Sequence, residues 1–157
     1  MRRPRDGFFL RAESYYNVAT EVERLDEDPS AALLSSPSRI DGYGGRSLHE
    51  QSQGESFLAL FMDRLRGDGL YILDEPEAAL SPTHQLALLA RLHDLVRIRS
   101  QFLIAAHSPI LLAHPDANIL LLDEHGTRQV PYEEAEHFVM TRRFLNDHRA
   151  MLARLLE

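Results

Sequence analysis

The sequence predicts an α/β fold, a mostly parallel sheet with helices on both faces. Short apolar runs of strand length recur along the chain, among them "GLYILDEP", "QFLIAAHS" and "NILLLDEHG". Amphipathic stretches of helical period separate them. Asp74, Glu75 and His107 each fall at the carboxyl end of such a run. Ligands of open α/β sheets gather along that edge.

Taken in chain order, "GFFLRAES" (7–14) carries aromatics and alternates, so it reads as a strand. "SYYNVATEVERL" follows as a helix, with Tyr16, Ala19, Val22 and Leu25 on one side. Residues 26–47, rich in Pro, Gly, Ser and Asp, form one long irregular connection. Such loops inside a compact domain tend to be functional or mobile. In "GESFLALFMDRLRG", Phe57, Leu58, Phe61 and Leu65 recur at helical spacing, and Gly67 ends the helix. "SPTHQLALLARLHDLVRIRS" starts with Ser81 as N-cap and Pro82 at the first helical position. Its expected buried stripe is Leu86, Leu89, Leu92 and Val96. The C-terminal stretch from "EEAEHF" onward reads as one or two helices.

The 157 residues suffice for one domain with a real core. No apolar stretch approaches the roughly 20 residues that span a bilayer, and no signal peptide is expected. Cysteine is absent, which excludes disulfides and thiolate metal sites and fits a cytoplasmic setting. The net charge of −7 gives no support for broad binding to a phosphate backbone. All 17 basic residues are arginine, so no catalytic lysine can be proposed from this chain.

Three stretches can carry chemistry. At the end of "YILDEP", an aspartate can bind Mg²⁺ through water while the neighbouring glutamate polarises an attacking water. The plain alternative is a pair of acids on a solvated loop. In "SQGES", Ser52 and the Gly54 backbone stand at a helix N-terminus, where free N–H groups favour an anion. There the alternative is a capping box, with Ser52 as N-cap and Glu55 three residues on. In "FLIAAHSP", His107 follows an apolar strand, and its alternative is a histidine satisfied by local hydrogen bonds.

Taken together and in order, "SQGES", "YILDEPEAALSP" and "FLIAAHS" resemble the signature motif, the Walker B segment with D-loop, and the switch histidine of ABC-type ATPases. The chain is most similar to the AAA-family ATPases of bacteria related to the SMC and RecF-like group, over about residues 7–125. The resemblance implies a P-loop NTPase fold, ATP and Mg²⁺ as cofactors, and a homodimer or a partner ATPase chain. It implies that Asp74 holds the Mg²⁺ shell, Glu75 is the general base and His107 contacts the γ-phosphate. Ser52, Gly54 and Glu55 would reach the partner's nucleotide, residues 78–81 would form the D-loop, and Glu13 would sit near the Q-loop. DNA as a partner is left possible by the resemblance but is unsupported by the charge.

The family's P-loop, a glycine-rich turn followed by lysine, has no counterpart in these 157 residues. The expectation is therefore a single ATPase domain, N-terminally incomplete, over residues 1–157. Two alternatives stand beside it. One is a non-catalytic module that lends its signature helix to a complete partner. The other is a metal-dependent hydrolase or nuclease that uses the carboxylates and histidines directly.

Overall fold

The computed structural model describes residue 4, residues 6–12 and residues 53–157. The helix expected within 14–25, the 26–47 connection, Glu13 and Ser52 lie outside the described residues. The chain divides into two compact units, Met1–Ala106 and His107–Glu157.

The first unit is built on three parallel strands in the order β1 (Asp6–Arg11), β2 (Gly69–Asp74), β3 (Gln101–Ala105). Helix α1 (Gln53–Arg64) precedes β2, and α2 (Pro82–Arg97) links β2 to β3. This is the α/β pattern expected from the sequence, with a long helical crossover between two parallel strands. Side chains alternate across each strand. Phe8, Leu10, Tyr71, Leu73, Phe102 and Ile104 share one face, where Tyr71 and Leu73 are essentially inaccessible. Phe9, Leu70, Ile72 and Leu103 share the opposite face and remain substantially exposed. Among the described residues, burial is thus concentrated on one side of the sheet.

Tyr71 anchors that side. The register sets Phe8, Tyr71 and Phe102 in one row across the three strands. The Tyr71 ring meets Phe8 edge-on and stacks on Phe102, with centroids 5.3 Å away in both cases. Its hydroxyl accepts from the Arg66 backbone N–H at 2.9 Å and donates to the Arg66 carbonyl at 3.0 Å. Ser100 Oγ, also buried, donates to the same carbonyl at 2.7 Å. The Arg66 backbone in the turn between α1 and β2 is therefore satisfied by the Tyr71 and Ser100 hydroxyl groups. Gly69 is required next to it, because a Cβ there would lie 2.4 Å from the Tyr71 ring.

The helices pack on each other through Phe57, Phe61 and Leu65 of α1 and its exit, and Leu88, Leu92 and Leu95 of α2. Arg91 of α2 donates to the Met62 and Leu65 carbonyls at 3.0 and 2.9 Å, filling acceptors that the end of α1 leaves open. Ser81 caps α2 as expected, accepting from His84 N at 3.3 Å, with Pro82 at the first position. The buried stripe of α2 differs from the expectation. It runs through Gln85, Leu88, Leu92 and Leu95, whereas Leu86 and Val96 are exposed. Apolar residues occupy two adjacent ridges of this helix, so periodicity alone does not select between them. Gln85 made the true ridge look polar, and its burial is compensated by an Nε2 hydrogen bond to the Leu80 carbonyl at 3.0 Å.

The second unit begins with a single helical turn, α3 (Pro109–Leu112), capped by Ser108, whose Oγ accepts from the Ile110 and Leu111 N–H groups. Strands β4 (Ile119–Asp123) and β5 (Gly126–Val130) then form an antiparallel hairpin. The apolar run "NILLLDEHG" predicts β4, whereas nothing in the sequence predicts β5. Its sequence, "GTRQV", is too polar to stand out, and four of its five residues are exposed. Gly126 carries the turn at φ 118°, a conformation L-residues rarely adopt. Two helices follow, α4 (Glu136–Asn146) and α5 (His148–Leu155), which break at Asp147.

Replacing Tyr71 with Phe keeps the aromatic row but leaves the Arg66 N–H without its acceptor. Urea unfolding should show a loss of about 1–2 kcal/mol. An unchanged midpoint would mean that the hydroxyl has no structural role.

Candidate functional site

At the carboxyl end of the parallel sheet, Arg11 of β1, Asp74 of β2 and Ala105 of β3 stand in one row. Beyond them the backbone of β2 turns sharply. Glu75 adopts the left-handed conformation, φ 48° and ψ 50°, immediately before the buried Pro76. A proline disfavours the right-handed helical region for the residue before it, so β2 cannot run directly into a right-handed turn at Glu75. The Glu75 N–H still pairs with β3, donating to the Ala105 carbonyl at 2.9 Å. Its carbonyl accepts from Ala78 N at 3.0 Å and closes a 3-10 turn over Pro76–Ala79. An exposed glutamate held at positive φ is a local cost that clusters at functional sites.

The outcome is a small open pocket of about 140 Å³ lined by Arg11, Ala12, Asp74 and Glu75. Asp74 is half-buried and Glu75 exposed. Arg11 Nε lies 2.7 Å from Asp74 Oδ2 in a charge-assisted hydrogen bond. Sequence reasoning missed Arg11. The only signal for it was its place at the end of "FFLR", and the partner on the neighbouring strand emerges only from the register.

Two hard carboxylate groups beside an open volume suit Mg²⁺, which binds through one or two carboxylates plus waters and phosphate oxygens. Among the described residues no group of three or more His, Asp or Glu side chains gathers to hold a metal by itself. The donor set at Asp74 and Glu75 therefore fits a cation that brings further ligands with it.

The other expected site residues fall as follows. Gly54 and Glu55 lie in the first turn of α1. Ala78 and Ala79 belong to the 3-10 turn after Glu75, and Ser81 is engaged as the cap of α2. His107 opens the second unit, exposed, with Nδ1 3.0 Å from Nε2 of His137 and the two rings edge-to-face at 4.7 Å. A local hydrogen bond of this kind was the alternative weighed for His107, and His137 was not anticipated.

The second unit also holds an open cleft of about 620 Å³, with Leu112, His114, Gln129, Val130 and Tyr132 in its wall. None of the expected site residues lines it. Burial and then the charge of Glu133 push the Tyr132 hydroxyl above its ordinary range. That hydroxyl stays protonated and donates to the Pro109 carbonyl at 2.9 Å.

The backbone at Glu75 makes a testable demand. Glu75→Gly should raise stability by about 1 kcal/mol in urea unfolding, because glycine accepts positive φ without a Cβ clash. Glu75→Ala should give no such gain. Equal effects of the two substitutions would remove the strain argument.

No curated protein matches the chain. Residues 7–113 match the model of a family described as "AAA domain, putative AbiEii toxin, Type IV TA system". That span contains all of the three-stranded sheet except Asp6, together with the Arg11–Asp74 pocket, the 3-10 turn after Glu75, and His107. The parallel α/β sheet, with its acidic pair at the strand end, is accordingly that of an ATPase-like nucleotide-binding domain, and the chain belongs to this AAA-domain family.

Proposed function

We propose that the chain is part of an ATP-hydrolysing domain of the ABC-type branch, acting as a dimer or with a partner ATPase chain around bound nucleotide. The observation that carries this reading is the strand-end pair Asp74–Glu75, with Glu75 turned out of the strand by its left-handed backbone into an open pocket. Bound Mg²⁺ would neutralise the phosphate charge that builds up during phosphoryl transfer.

The chain's own residues divide the remaining work. Asp74 binds the cation shell through its carboxylate. Glu75 orients the attacking water and takes its proton, a task that suits an exposed carboxylate beside the metal. His107 takes the family's switch-histidine role, a contact to the γ-phosphate. By the family resemblance, Ser52, Gly54 and Glu55 of the signature segment reach the partner's nucleotide, and Glu13 falls near the Q-loop. The phosphate loop and its lysine come from outside these 157 residues, which contain no lysine.

That last fact also favours a second reading, a module that completes the site of another chain without turning over ATP itself. Turnover separates the two readings. The chain joined to a segment bearing a glycine-rich loop and lysine should hydrolyse ATP. Glu75→Gln should then reduce turnover about 10²-fold or more while Mg–ATP binding persists, since the amide keeps the shape but cannot accept the proton. Undiminished hydrolysis in that variant would exclude Glu75 as the base, and no hydrolysis with nucleotide bound would favour the module.

A further inference from the structure

We infer that Arg11 is the resident counter-ion of Asp74, which a divalent cation must displace, so that the pocket resists free cation and favours cation arriving with phosphate. The inference rests on the reading of Asp74 as a cation ligand and adds a residue that the motifs do not assign. The two residues are register partners on adjacent parallel strands, so their backbone separation is fixed by the sheet and not by a flexible loop. Arg11 Nε already occupies Asp74 Oδ2 at 2.7 Å. Among the described residues it is the one basic side chain lining that pocket.

A guanidinium and a divalent ion cannot both approach one carboxylate without mutual repulsion. The bond has to break, or be shared, when the ion binds. Exposure makes that exchange feasible. The Arg11 and Asp74 side chains are 53% and 26% accessible, and a solvent-screened pair of this kind is weak. An anion that enters with the ion can take up the released guanidinium. Its planar fork of N–H donors matches phosphate oxygens, and guanidinium is less strongly hydrated than an ammonium. The same side chain therefore opposes a bare cation and supports a cation–polyphosphate complex. In a chain without lysine this gives the acidic edge a positive charge of its own.

The test needs no catalysis. Free Mn²⁺ is titrated into the chain and read by electron paramagnetic resonance, first alone and then as its tripolyphosphate complex. Arg11→Gln should bind bare Mn²⁺ about threefold or more tighter than wild type and bind Mn²⁺–tripolyphosphate more weakly. Asp74→Asn should remove the bare-ion site in both backgrounds. A merely structural role for Arg11 would weaken both probes together, and that result, or bare-ion binding insensitive to Asp74→Asn, would overturn the inference. The unaltered chain supplies a second measurement. Added Mg²⁺ should shift the Arg11 Nε–H resonance away from its hydrogen-bonded position, and an unmoved resonance at saturating Mg²⁺ would also overturn it. Loss of ATP hydrolysis as a function would leave the bare-ion results unaffected, so the two failures are distinguishable.

Discussion

β2 is paired on both edges, and its register with β1 and β3 aligns Phe8, Tyr71 and Phe102 in one row and Arg11, Asp74 and Ala105 in another. Side chains alternate along a strand, so a slip of one residue would send the buried face outward. The slip would take Tyr71 away from Phe8, Phe102 and the Arg66 backbone, and it would separate Arg11 from Asp74. The packed aromatic row thus fixes the position of a polar pair three residues further along the strand. Stability and site geometry are set by the same pairing.

The edge where the strands end has to manage charge. Two adjacent carboxylates at the end of an apolar strand are costly unless water or a cation reaches them. The backbone reduces the conflict by turning at Glu75, which exposes that side chain while Asp74 remains half-buried. Arg11 supplies the compensating charge for Asp74. The turn continues through buried Pro76 and Leu80 to the Ser81 cap, so the position of α2 is tied to the same strand end. A glutamate at positive φ is expensive to hold, and the surrounding hydrogen bonds from Glu75 N–H to Ala105 and from Ala78 to Glu75 hold it there.

Much of this was legible in the residues. The apolar runs marked β1, β2 and β3, and Ser81–Pro82 marked the start of α2, because cap chemistry is local. The motif order pointed to an ATPase family, and the family match over residues 7–113 supports an ATPase-like nucleotide-binding domain. What was not legible depended on partners far apart in sequence. The buried ridge of α2 was misread because Gln85 is buried with its side chain hydrogen-bonded to the Leu80 carbonyl, which no polarity pattern reveals. Strand β5 was missed because it is an exposed, polar hairpin partner. Arg11 and His137 gained meaning only when pairing set them beside Asp74 and His107. Glu13 and Ser52 lie outside the described residues.

The central claim is that the edge formed by Arg11, Asp74 and Glu75 receives a cation-bound nucleotide. Paramagnetic broadening locates such a ligand even when it binds weakly. Amide resonances would be followed while Mn²⁺–ATP is added at low molar ratio. The account predicts that the signals of Arg11, Ala12, Asp74 and Glu75 broaden first. Broadening centred on the cleft walled by Leu112, Val130 and Tyr132, with residues 74 and 75 unaffected, would contradict it.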